Sequence, residues 1–542
     1  MSASNPARPG SSERRSRPAP AQPAAAGTPA SRWLAALAGV VSVGAAIGTG
    51  ELAAGLLPGI PSPILAVSRF LVDIQPPGAK DVVVSLFGTG DKEALQALIV
   101  LVALLLGAAI GIVGVSRPTA ATLVIGAFAG AGFLASLRDP NVTPVLAAGA
   151  AAVETLVGSS ALSWLLGTLA GPAAASSSRR GSMPDWTRRR LLQRGGALAA
   201  ASVVAGVVGR SLLERSRIPA STAALPTPQQ PATLPSGASL ATADLTNDGL
   251  TPIVVPNDDF YRIDTAFIVP SVDVSTWQLR IHGMVDHEIV LTYDQLIQLP
   301  IIEQYVTIAC VSNEVGGDLV GNASWRGVPL RMVLDMAGVQ AGATQLVGRS
   351  VDGFTVGMPT AWVMDQSRIP MIAIGMNGQP LPTVHGYPAR LIVPGLYGYV
   401  SATKWLSELE LTTLEAFDAY WVPLGWAKEA PILTQSRIDV PHDGAHLAAG
   451  QQPVAGVAWA PDRGIQGVEV SIDQGPWQPA TISTPISKAT WVQWLLSWNA
   501  PAGSHSIEVR ATDDTGAVQT ADRTDPAPDG ARGHHTIQVS VG

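Results

Sequence analysis

Long apolar stretches before about residue 212 constrain what this 542-residue chain can fold into more than any other feature. Five of them are long enough to cross a bilayer as helices, since a span needs about 20 mostly apolar residues. They cover residues 33–57, 95–115, 120–137, 143–169 and 191–208. The sequence therefore predicts a membrane domain of about five helices at residues 31–212. Residues 1–30, rich in Pro, Ala, Ser and Arg, are predicted to be a disordered tail because they bury too little apolar surface.

The segment at residues 58–91 separates the first two apolar stretches and contains two proline clusters. It also carries Arg69, Asp73, Lys80 and Asp81, which are costly to place in hydrocarbon. We therefore predict an interfacial or re-entrant excursion here, and not a sixth span.

Basic residues set the predicted orientation of the membrane domain. Arg14, Arg15 and Arg17 lie in the tail, and six arginines lie at residues 176–195. Because Arg and Lys near short loops favour the cytoplasmic side, both segments are predicted to be cytoplasmic. An odd number of spans then places everything after about Arg210 outside. The expectation is a multi-pass cell-membrane protein with a cytoplasmic N-terminus and an extracytoplasmic soluble half.

The motif TRRRLL at residues 187–192, directly before the last apolar stretch, has two interpretations. It resembles a twin-arginine export signal, which would let a domain cross the membrane already folded around a bulky cofactor. It also fits an ordinary positive-inside anchor. The sequence leaves both interpretations open.

Haem is not expected in the membrane domain. Haem b between helices takes axial ligands, commonly two histidines on facing helices. All eight histidines of the chain lie after residue 212, and no methionine lies within a predicted span. The helices are therefore predicted to serve as an anchor or a docking platform.

The pattern changes after a linker at residues 213–248. Strand-like runs then alternate with turns and short helical patterns, which favours a mixed α+β domain at residues 249–428. Residues 429–542 show short strands at regular spacing, as is typical of an immunoglobulin-like β-sandwich. In one of these strands Val468, Val470 and Ile472 alternate with polar residues, so one face is predicted to be buried.

Cys310 is the only cysteine of the chain and ends a strand-like run at residues 305–310. A single cysteine cannot form an intrachain disulfide, and a structural zinc site normally takes several thiolate or imidazole ligands. Its remaining uses are as a small buried hydrophobe, a thiolate nucleophile or a ligand of a soft metal. Taken alone, the residue does not decide between them.

A series of motifs in the soluble half does decide. They are PNDDFY (256–261), Cys310 followed by GNASWRGVPL (321–330), SVDGF (350–354), MNGQPLP (376–382), and HGYPARLIVPG (385–395) running on to Lys404 and Trp405. In this order they resemble the sulfite oxidase family of molybdopterin enzymes. The resemblance covers residues 251–542, because the C-terminal sandwich is similar to that family's dimerisation domain.

The resemblance implies a multi-domain fold: an α-helical membrane bundle, a sulfite oxidase-like α+β molybdopterin domain and an immunoglobulin-like sandwich. It implies a molybdenum-molybdopterin cofactor, with Cys310 as the metal thiolate and Tyr261 and Trp426 beside it in the catalytic pocket. It also implies a set of residues that hold the pterin. These are Asp258, Tyr261, Arg262, Ser350, His385, Arg390, Ala402, Thr403 and Lys404.

The chain departs from the family where sulfite would bind. Sulfite oxidases place one arginine five residues after the cysteine, where this chain has Val315, and another in the preceding loop, where it has Ile263 beside Arg262. A sulfite dianion desolvated without cations is strongly disfavoured. The chain is more similar in type to the periplasmic reductase of protein methionine sulfoxide, so a sulfoxide- or N-oxide-like substrate is expected.

Two alternatives stay open. One is a sulfite oxidase or dehydrogenase whose anion clamp is supplied elsewhere, for example by Arg326. The other is a non-enzymatic ectodomain that serves as a binding module. For the enzyme we expect a small-molecule or protein-bound substrate, a separate electron-transfer partner, attachment to the membrane and a homodimer through the C-terminal domain. No nucleic-acid partner is expected.

Overall fold

The computed structural model describes residues 29–76, 90–139, 141–170, 185–215, 224–240 and 249–542. The predicted tail therefore lies almost entirely outside the described residues, as does much of the predicted linker. The described helices of the first half are α1 (Pro29–Leu56), α2 (Pro63–Ile74), α3 (Asp91–Gly114), α4 (Pro118–Ser136), α5 (Pro144–Ala170) and α6 (Asp185–Arg215). Five of them, all but α2, are long and apolar enough to cross a membrane. This confirms the five apolar helices that the sequence predicts.

Helix α2 lies in the segment predicted to be an excursion. It has 12 residues, or about 18 Å at 1.5 Å per residue, which is too short for a span. Ser62 caps its N-terminus by accepting a hydrogen bond from the Leu65 amide at 3.2 Å, and Pro63 occupies the first turn, where a missing N–H is harmless. Residues 77–89 of the predicted excursion lie outside the described residues.

Helix α1 is the centre of the helical bundle and packs against α3, α5 and α6. At its crossing with α3 the two backbones are in direct contact: a Cβ on Gly39 would lie 1.9 Å from the Gly107 carbonyl oxygen, and one on Gly111 would lie 2.0 Å from the Ala35 carbonyl oxygen. Only glycine fits such an approach. The small residues at 107–111 therefore allow close packing of α1 and α3.

The α+β domain contains two sheets. The first has the order β2-β1-β10-β5-β6, and the second the order β3-β4-β7-β8 with β9 also paired to β7. The strands are β1 (Gln278–Gly283), β2 (Ile289–Thr292), β3 (Ile302–Ala309), β4 (Val320–Pro329), β5 (Gln345–Ser350), β6 (Thr355–Pro359), β7 (Met371–Met376), β8 (Gln379–Pro380), β9 (Arg390–Ile392) and β10 (Leu406–Thr412). Short helices connect them: α7 (Tyr293–Ile297), α8 (Leu330–Ala337), α9 (Thr360–Met364) and α10 (Gly398–Ser401).

Period-two burial explains the inner faces of these strands. In β1, Leu279 and Ile281 are fully buried while Gln278 and Arg280 are exposed. Full burial of each large apolar side chain stabilises the fold by about 1.5–3 kcal/mol. Trp325 of β4 is also fully buried and donates its indole N–H to the Val306 carbonyl at 3.2 Å, so its one polar atom is satisfied.

Strand β3, which leads to Cys310, lies at the edge of its sheet but is covered. The Glu303 amide donates to the Gln230 carbonyl at 2.9 Å, and the Thr307 amide donates to the Ala489 carbonyl at 2.9 Å. Trp491, which is fully buried, donates its backbone amide to the Thr307 hydroxyl at 2.8 Å. The C-terminal region therefore packs directly on the strand that positions the cysteine.

Residues 435–541 form two further sheets, β11-β13-β17-β16 and β12-β19-β18-β14-β15. Val454 and Trp494 of the first share a core with Val470 and Val509 of the second, so the sheets face each other. The strands are β11 (Gln435–Val440), β12 (His446–Leu447), β13 (Gly450–Trp459), β14 (Ile465–Ile472), β15 (Gln478–Pro479), β16 (Thr481–Ile482), β17 (Val492–Ala500), β18 (Gly503–Asp513) and β19 (His535–Val541).

Candidate active site

A cavity of about 110 Å³ lies in the α+β domain, beyond the end of β3. We call it the Cys310 pocket. It brings together most of the residues that the sequence predicted to act together, although they are spread over 166 positions of the chain. Those that line it are Tyr261, Cys310, Ser350, His385, Arg390, Ala402, Lys404 and Trp426.

Cys310 is placed at the pocket by a pinned loop. Its amide donates to the Leu319 carbonyl at 2.9 Å, and its own carbonyl accepts from the Asn313 amide at 3.1 Å. The side chain of Asn313 accepts from the Leu319 amide at 2.7 Å, which closes the loop. The residue is half-buried, so a cysteine that could have been a core hydrophobe instead borders a cavity.

Arg390 forms the cationic end of the pocket and is only 4% exposed. It donates from Nη1 to the His385 carbonyl at 3.1 Å and lies over the Trp325 ring at 5.0 Å. Burial lowers its pKa to about 10, which still leaves it protonated at neutral pH. No carboxylate of the described residues lies within 4.0 Å of its guanidinium. A buried cation without an anion is costly, so this end of the pocket suits an anionic ligand.

Lys404 adds a second cation to the pocket, but its charge is already paired with a carboxylate. Its Nζ donates to Asp264 Oδ2 at 2.8 Å and to the Val384 carbonyl at 3.2 Å. Burial lowers the pKa of Lys404 to about 8, although Asp264 opposes this shift. Burial by itself would raise the pKa of Asp264, but Lys404, Lys92 and Arg262 together hold it well below its usual range. The carboxylate therefore stays ionised.

His385 contributes no charge at neutral pH. It is 3% exposed, and burial together with the nearby Arg390 lowers its pKa to about 4. The neutral ring donates from Nε2 to the Asn257 carbonyl at 3.0 Å, which ties it to the PNDDFY loop. Phe260 of that loop contacts the ring edge-on, with centroids 5.7 Å apart.

Aromatic side chains also line the pocket. Trp421 and Trp426 lie with ring centroids 6.5 Å apart, and Tyr399 packs on Trp426 at 5.8 Å. Tyr261 also lines the cavity, and burial raises its pKa so that it keeps its proton. Among the described lining residues, the basic side chains are Arg390, Lys404 and His385.

The positions of a sulfite clamp are apolar in the structure as well as in the sequence. Ile263 lines the pocket, whereas Val315 does not. Arg262 has a side chain that is 44% exposed, does not line the pocket and pairs with Asp264 at 3.0 Å. Arg326, suggested from the sequence as a substitute clamp, is wrong for that role because its Nη2 is held by Glu303 at 2.9 Å outside the pocket lining.

Two more predicted pterin residues do not line the pocket. Asp258 is exposed on the surface. Thr403 is fully buried, and its hydroxyl oxygen would lie 2.5 Å from a Cβ on Gly348 of β5, so the side chain points into the sheet. Both residues were predicted from their places in motifs. The direction of a side chain depends on packing, which a motif does not reveal.

Asp264, Asp352 and Trp421 line the pocket without having been predicted to act there. A carboxylate two residues after Arg262 was a weak signal for Asp264. Nothing in the sequence indicated that Lys92 would be a second partner of Asp264. Lys92 lies at the start of α3 and donates from Nζ to the Asp264 carbonyl at 2.8 Å and to Oδ1 at 3.2 Å. The two residues are 172 positions apart.

The donor set of the pocket fits a metal-pterin cofactor. Arg390 and Lys404 suit a phosphate tail, and the thiol of Cys310 suits a soft metal. No three His, Cys, Asp or Glu side chains in the described parts of the chain are grouped to hold a metal ion. A metal beside Cys310 would therefore take its other ligands from a cofactor.

Comparison with known proteins supports the same chemistry. Residues 266–421 match the family described as the oxidoreductase molybdopterin binding domain. Human mitochondrial sulfite oxidase is 29% identical over 316 residues, which cover 49% of this chain and 57% of the relative. An NADH nitrate reductase of Oryza sativa subsp. japonica is 32% identical over 178 residues, covering 28% of this chain and 19% of the relative.

Among solved structures, the sulfane dehydrogenase SoxCD from Paracoccus pantotrophus is similar with a TM-score of 0.47 and 24% identity, covering 54% of this chain and 82% of that one. The chain spans a little more than half the length of the mitochondrial sulfite oxidases it matches. The family match includes the strands and loops that carry Cys310, His385, Arg390 and Lys404. Residues 266–421 of this chain therefore match an oxidoreductase molybdopterin binding domain, in a chain that is similar to mitochondrial sulfite oxidases over about half of its length.

Proposed function

We propose that this chain is a membrane-anchored, extracytoplasmic molybdenum-molybdopterin oxidoreductase that performs two-electron oxygen-atom transfer on a sulfoxide- or N-oxide-like substrate. The observation that carries the proposal is the composition of the Cys310 pocket. It joins a cysteine thiol, the buried cation of Arg390, which has no carboxylate partner among the described residues, and an aromatic lining without a clamp arginine.

The residues of the pocket divide the work of holding the cofactor. Cys310 would supply the thiolate to the metal, while Arg390 and Lys404 would bind the anionic tail. His385, Ser350 and the backbone near Ala402 and Thr403 would contact the pterin, and Asp258 and Arg262 would do so only at its exposed edge. When bound, the molybdenum cofactor supplies the oxygen-atom transfer, and the protein orients it and excludes water.

The apolar and aromatic part of the pocket lining favours a neutral substrate. A sulfite dianion entering beside Ile263, Trp421 and Trp426 would lose its hydration without gaining a clamp arginine. The similarity to sulfite oxidases keeps sulfite as the second candidate. We assign Tyr261 and Trp426 the role of shaping the space in which a small or protein-bound substrate is held.

The remaining parts of the proposal concern architecture and partners. We infer a membrane domain at residues 31–212, a molybdopterin domain at 249–428 and an immunoglobulin-like dimerisation domain at 429–542. The five apolar helices support membrane anchoring. The arginines at residues 176–195 support a cytoplasmic N-terminus and an outward catalytic domain in the cell membrane. Electrons would be exchanged with a separate partner protein.

Cofactor analysis tests the proposal directly. Full-length protein purified from a host that makes the cofactor should contain molybdenum and molybdopterin in equal amounts, with one of each per chain. It should show no haem absorbance, because the predicted spans carry no histidine. Elemental analysis, pterin fluorescence and the visible spectrum measure these quantities. Well-folded protein without metal and pterin would instead support the binding-module alternative.

A restored clamp should make sulfite a better ligand. In the Ile263→Arg variant the KM for sulfite should fall by about tenfold, since Ile263 lines the pocket and a charge-assisted hydrogen bond contributes about 1.5–3 kcal/mol. Ile263→Met, of similar length but uncharged, is the control and should leave KM unchanged. Efficient sulfite turnover by the wild type that does not change when Arg262 and Arg326 are replaced would contradict the argument for a neutral substrate.

A further inference from the structure

A second cavity lies between the helical region and the molybdopterin domain. It has a volume of about 390 Å³, and its helical wall consists of Arg69, Val72 and Asp73 of α2 and Arg138 just after α4. We call it the interdomain chamber. The α2 part of this wall lies in the segment at residues 58–91, which was predicted to be an excursion of the membrane domain.

The interdomain chamber adjoins the Cys310 pocket. Thr265, Asp352 and Phe354 line both cavities, so the two share a wall. Tyr420 lines the chamber and Trp421 lines the pocket, and their ring centroids are 5.2 Å apart. A molecule in the chamber is therefore separated from the pocket by single side chains.

Contacts from the helices hold the two loops that form this shared wall. Lys92 donates from Nζ to the Ala266 carbonyl at 2.7 Å, one residue after Thr265. Asn141 donates from Nδ2 to the Val351 carbonyl at 3.0 Å, one residue before Asp352. The helical region therefore holds in place the two loops that form the wall shared by the chamber and the Cys310 pocket.

A third contact crosses the chamber itself. Tyr420 donates from its hydroxyl to Asp73 Oδ1 at 2.9 Å. Burial, reinforced by the neighbouring Asp73, raises the pKa of Tyr420, so its hydroxyl keeps the proton that it donates. The bond joins α2 to the segment that carries Trp421 and Trp426 of the Cys310 pocket.

Charges in the described lining of the chamber are balanced. Arg69 and Arg138 stand against Asp73 and Asp352. Arg138 Nη1 lies 3.7 Å from Asp73 Oδ2, and Arg69 Nη1 is paired at 2.6 Å with Asp139. An anion entering this space would give up hydration and find arginines that already have partners. A neutral molecule with a dipolar S–O or N–O bond loses less hydration.

We propose that substrate reaches the Cys310 pocket through the interdomain chamber, and that the chamber selects compact dipolar molecules without net charge. The helical region would then contribute to specificity as well as to anchoring. The selectivity rests on the proposed function, whereas the route to Cys310 does not.

The route is tested with the cysteine itself. Full-length chain produced in a host that makes no molybdopterin carries Cys310 as its only thiol. In this protein Val72→Trp should slow the alkylation of Cys310 by iodoacetamide at least about fivefold, because the indole fills part of the chamber. Leu71→Trp is the matched control: Leu71 is 39% exposed on the same helix and does not line the chamber, so its rate should equal that of the wild type.

Each outcome has a definite meaning. Equal alkylation rates in the wild type, Val72→Trp and a second plug, Leu424→Trp, would overturn the route. Thermal melting shows which variants are folded. If Val72→Trp is not folded, the smaller replacement Val72→Phe is used in its place. If wild-type protein from a host that makes the cofactor contained no molybdenum or pterin, the proposed function would be refuted. The alkylation result would not be affected.

Selectivity is tested in the holoenzyme with two substrates of nearly equal size. With a dithionite-reduced viologen dye supplying the two electrons, methylsulfinylacetamide should be reduced to the sulfide and water with a kcat/KM at least about tenfold higher than anionic methylsulfinylacetate. Asp73→Asn removes one carboxylate from the chamber and keeps a side-chain oxygen for Tyr420, so it should narrow this ratio by a few fold. Equal use of both substrates by the wild type, or an unchanged ratio in Asp73→Asn, would overturn the selectivity.

Discussion

Replacing Cys310 with serine should lower kcat/KM at least about 1,000-fold, which corresponds to ~4 kcal/mol of transition-state stabilisation. The reason is chemical: a hard hydroxyl or water takes the place of a soft thiolate beside the metal. The substitution also leaves the backbone hydrogen bonds of the loop in place. Cys310 is half-buried, and the hydrogen bonds that pin its loop come from its backbone and from Asn313.

Three measurements on Cys310→Ser separate a ligand from a packing residue. Turnover should be lost, the spectroscopic signature of the metal should shift, and the melting temperature of the cofactor-free chain should stay the same. Ser312→Ala, two residues along the same loop and also at the pocket, is the control and should retain most of the activity. Wild-type turnover with an unchanged metal signature in Cys310→Ser would refute the assignment.

Replacing Arg390 with methionine should reduce cofactor occupancy by about 10- to 100-fold, because charge-assisted hydrogen bonds to an anion contribute about 1.5–3 kcal/mol. The same change should not destabilise the cofactor-free protein. Arg390 is 4% exposed and has no carboxylate partner among the described residues, so in the empty pocket it is a buried charge without an anion. Methionine keeps most of the volume and removes that cost.

Arg326→Met is the matched control for Arg390→Met. Arg326 is also largely buried, but it is paired with Glu303 at 2.9 Å and does not line the pocket. Its replacement leaves a buried carboxylate without a partner, so the melting temperature should fall while pterin and metal content stay unchanged. Thermal melting and pterin fluorescence on both variants measure the contrast. A drop in stability without loss of cofactor in Arg390→Met would show that its role is structural.

The apolar helices were predictable because their signal is local. Whether a stretch can span a bilayer depends on its length and on the summed hydropathy of its own residues, and five such helices are present. The glycine contact between α1 and α3 follows from the same kind of local pattern. The match of residues 266–421 to a molybdopterin-binding oxidoreductase domain was predictable from the order of several motifs, although no single one of them is specific.

The membership of the site was predictable only in part. Cys310, His385, Arg390 and Lys404 converge as their motifs suggested. Thr403 sits in the same motif region, yet its side chain turns into the sheet against Gly348. Thr403 lies in the loop between α10 and β10, where packing sets the direction of each side chain, and spacing along the chain does not reveal which residues will face a cavity.

By itself the sequence determined the membrane-length helices, the nature of the cofactor domain and the chemical type of its main donors. The tertiary structure alone decided that Arg390 is a buried cation with no carboxylate partner in the described parts of the chain. It alone also decided that Arg326 lies outside the pocket and that α2 forms a wall of the chamber next to the Cys310 pocket. Tyr420 and Asp73 are 347 residues apart and Lys92 and Asp264 are 172 apart. Such contacts depend on how distant elements pack in space, because charge pairing and cavity shape act through distance and not through position along the chain.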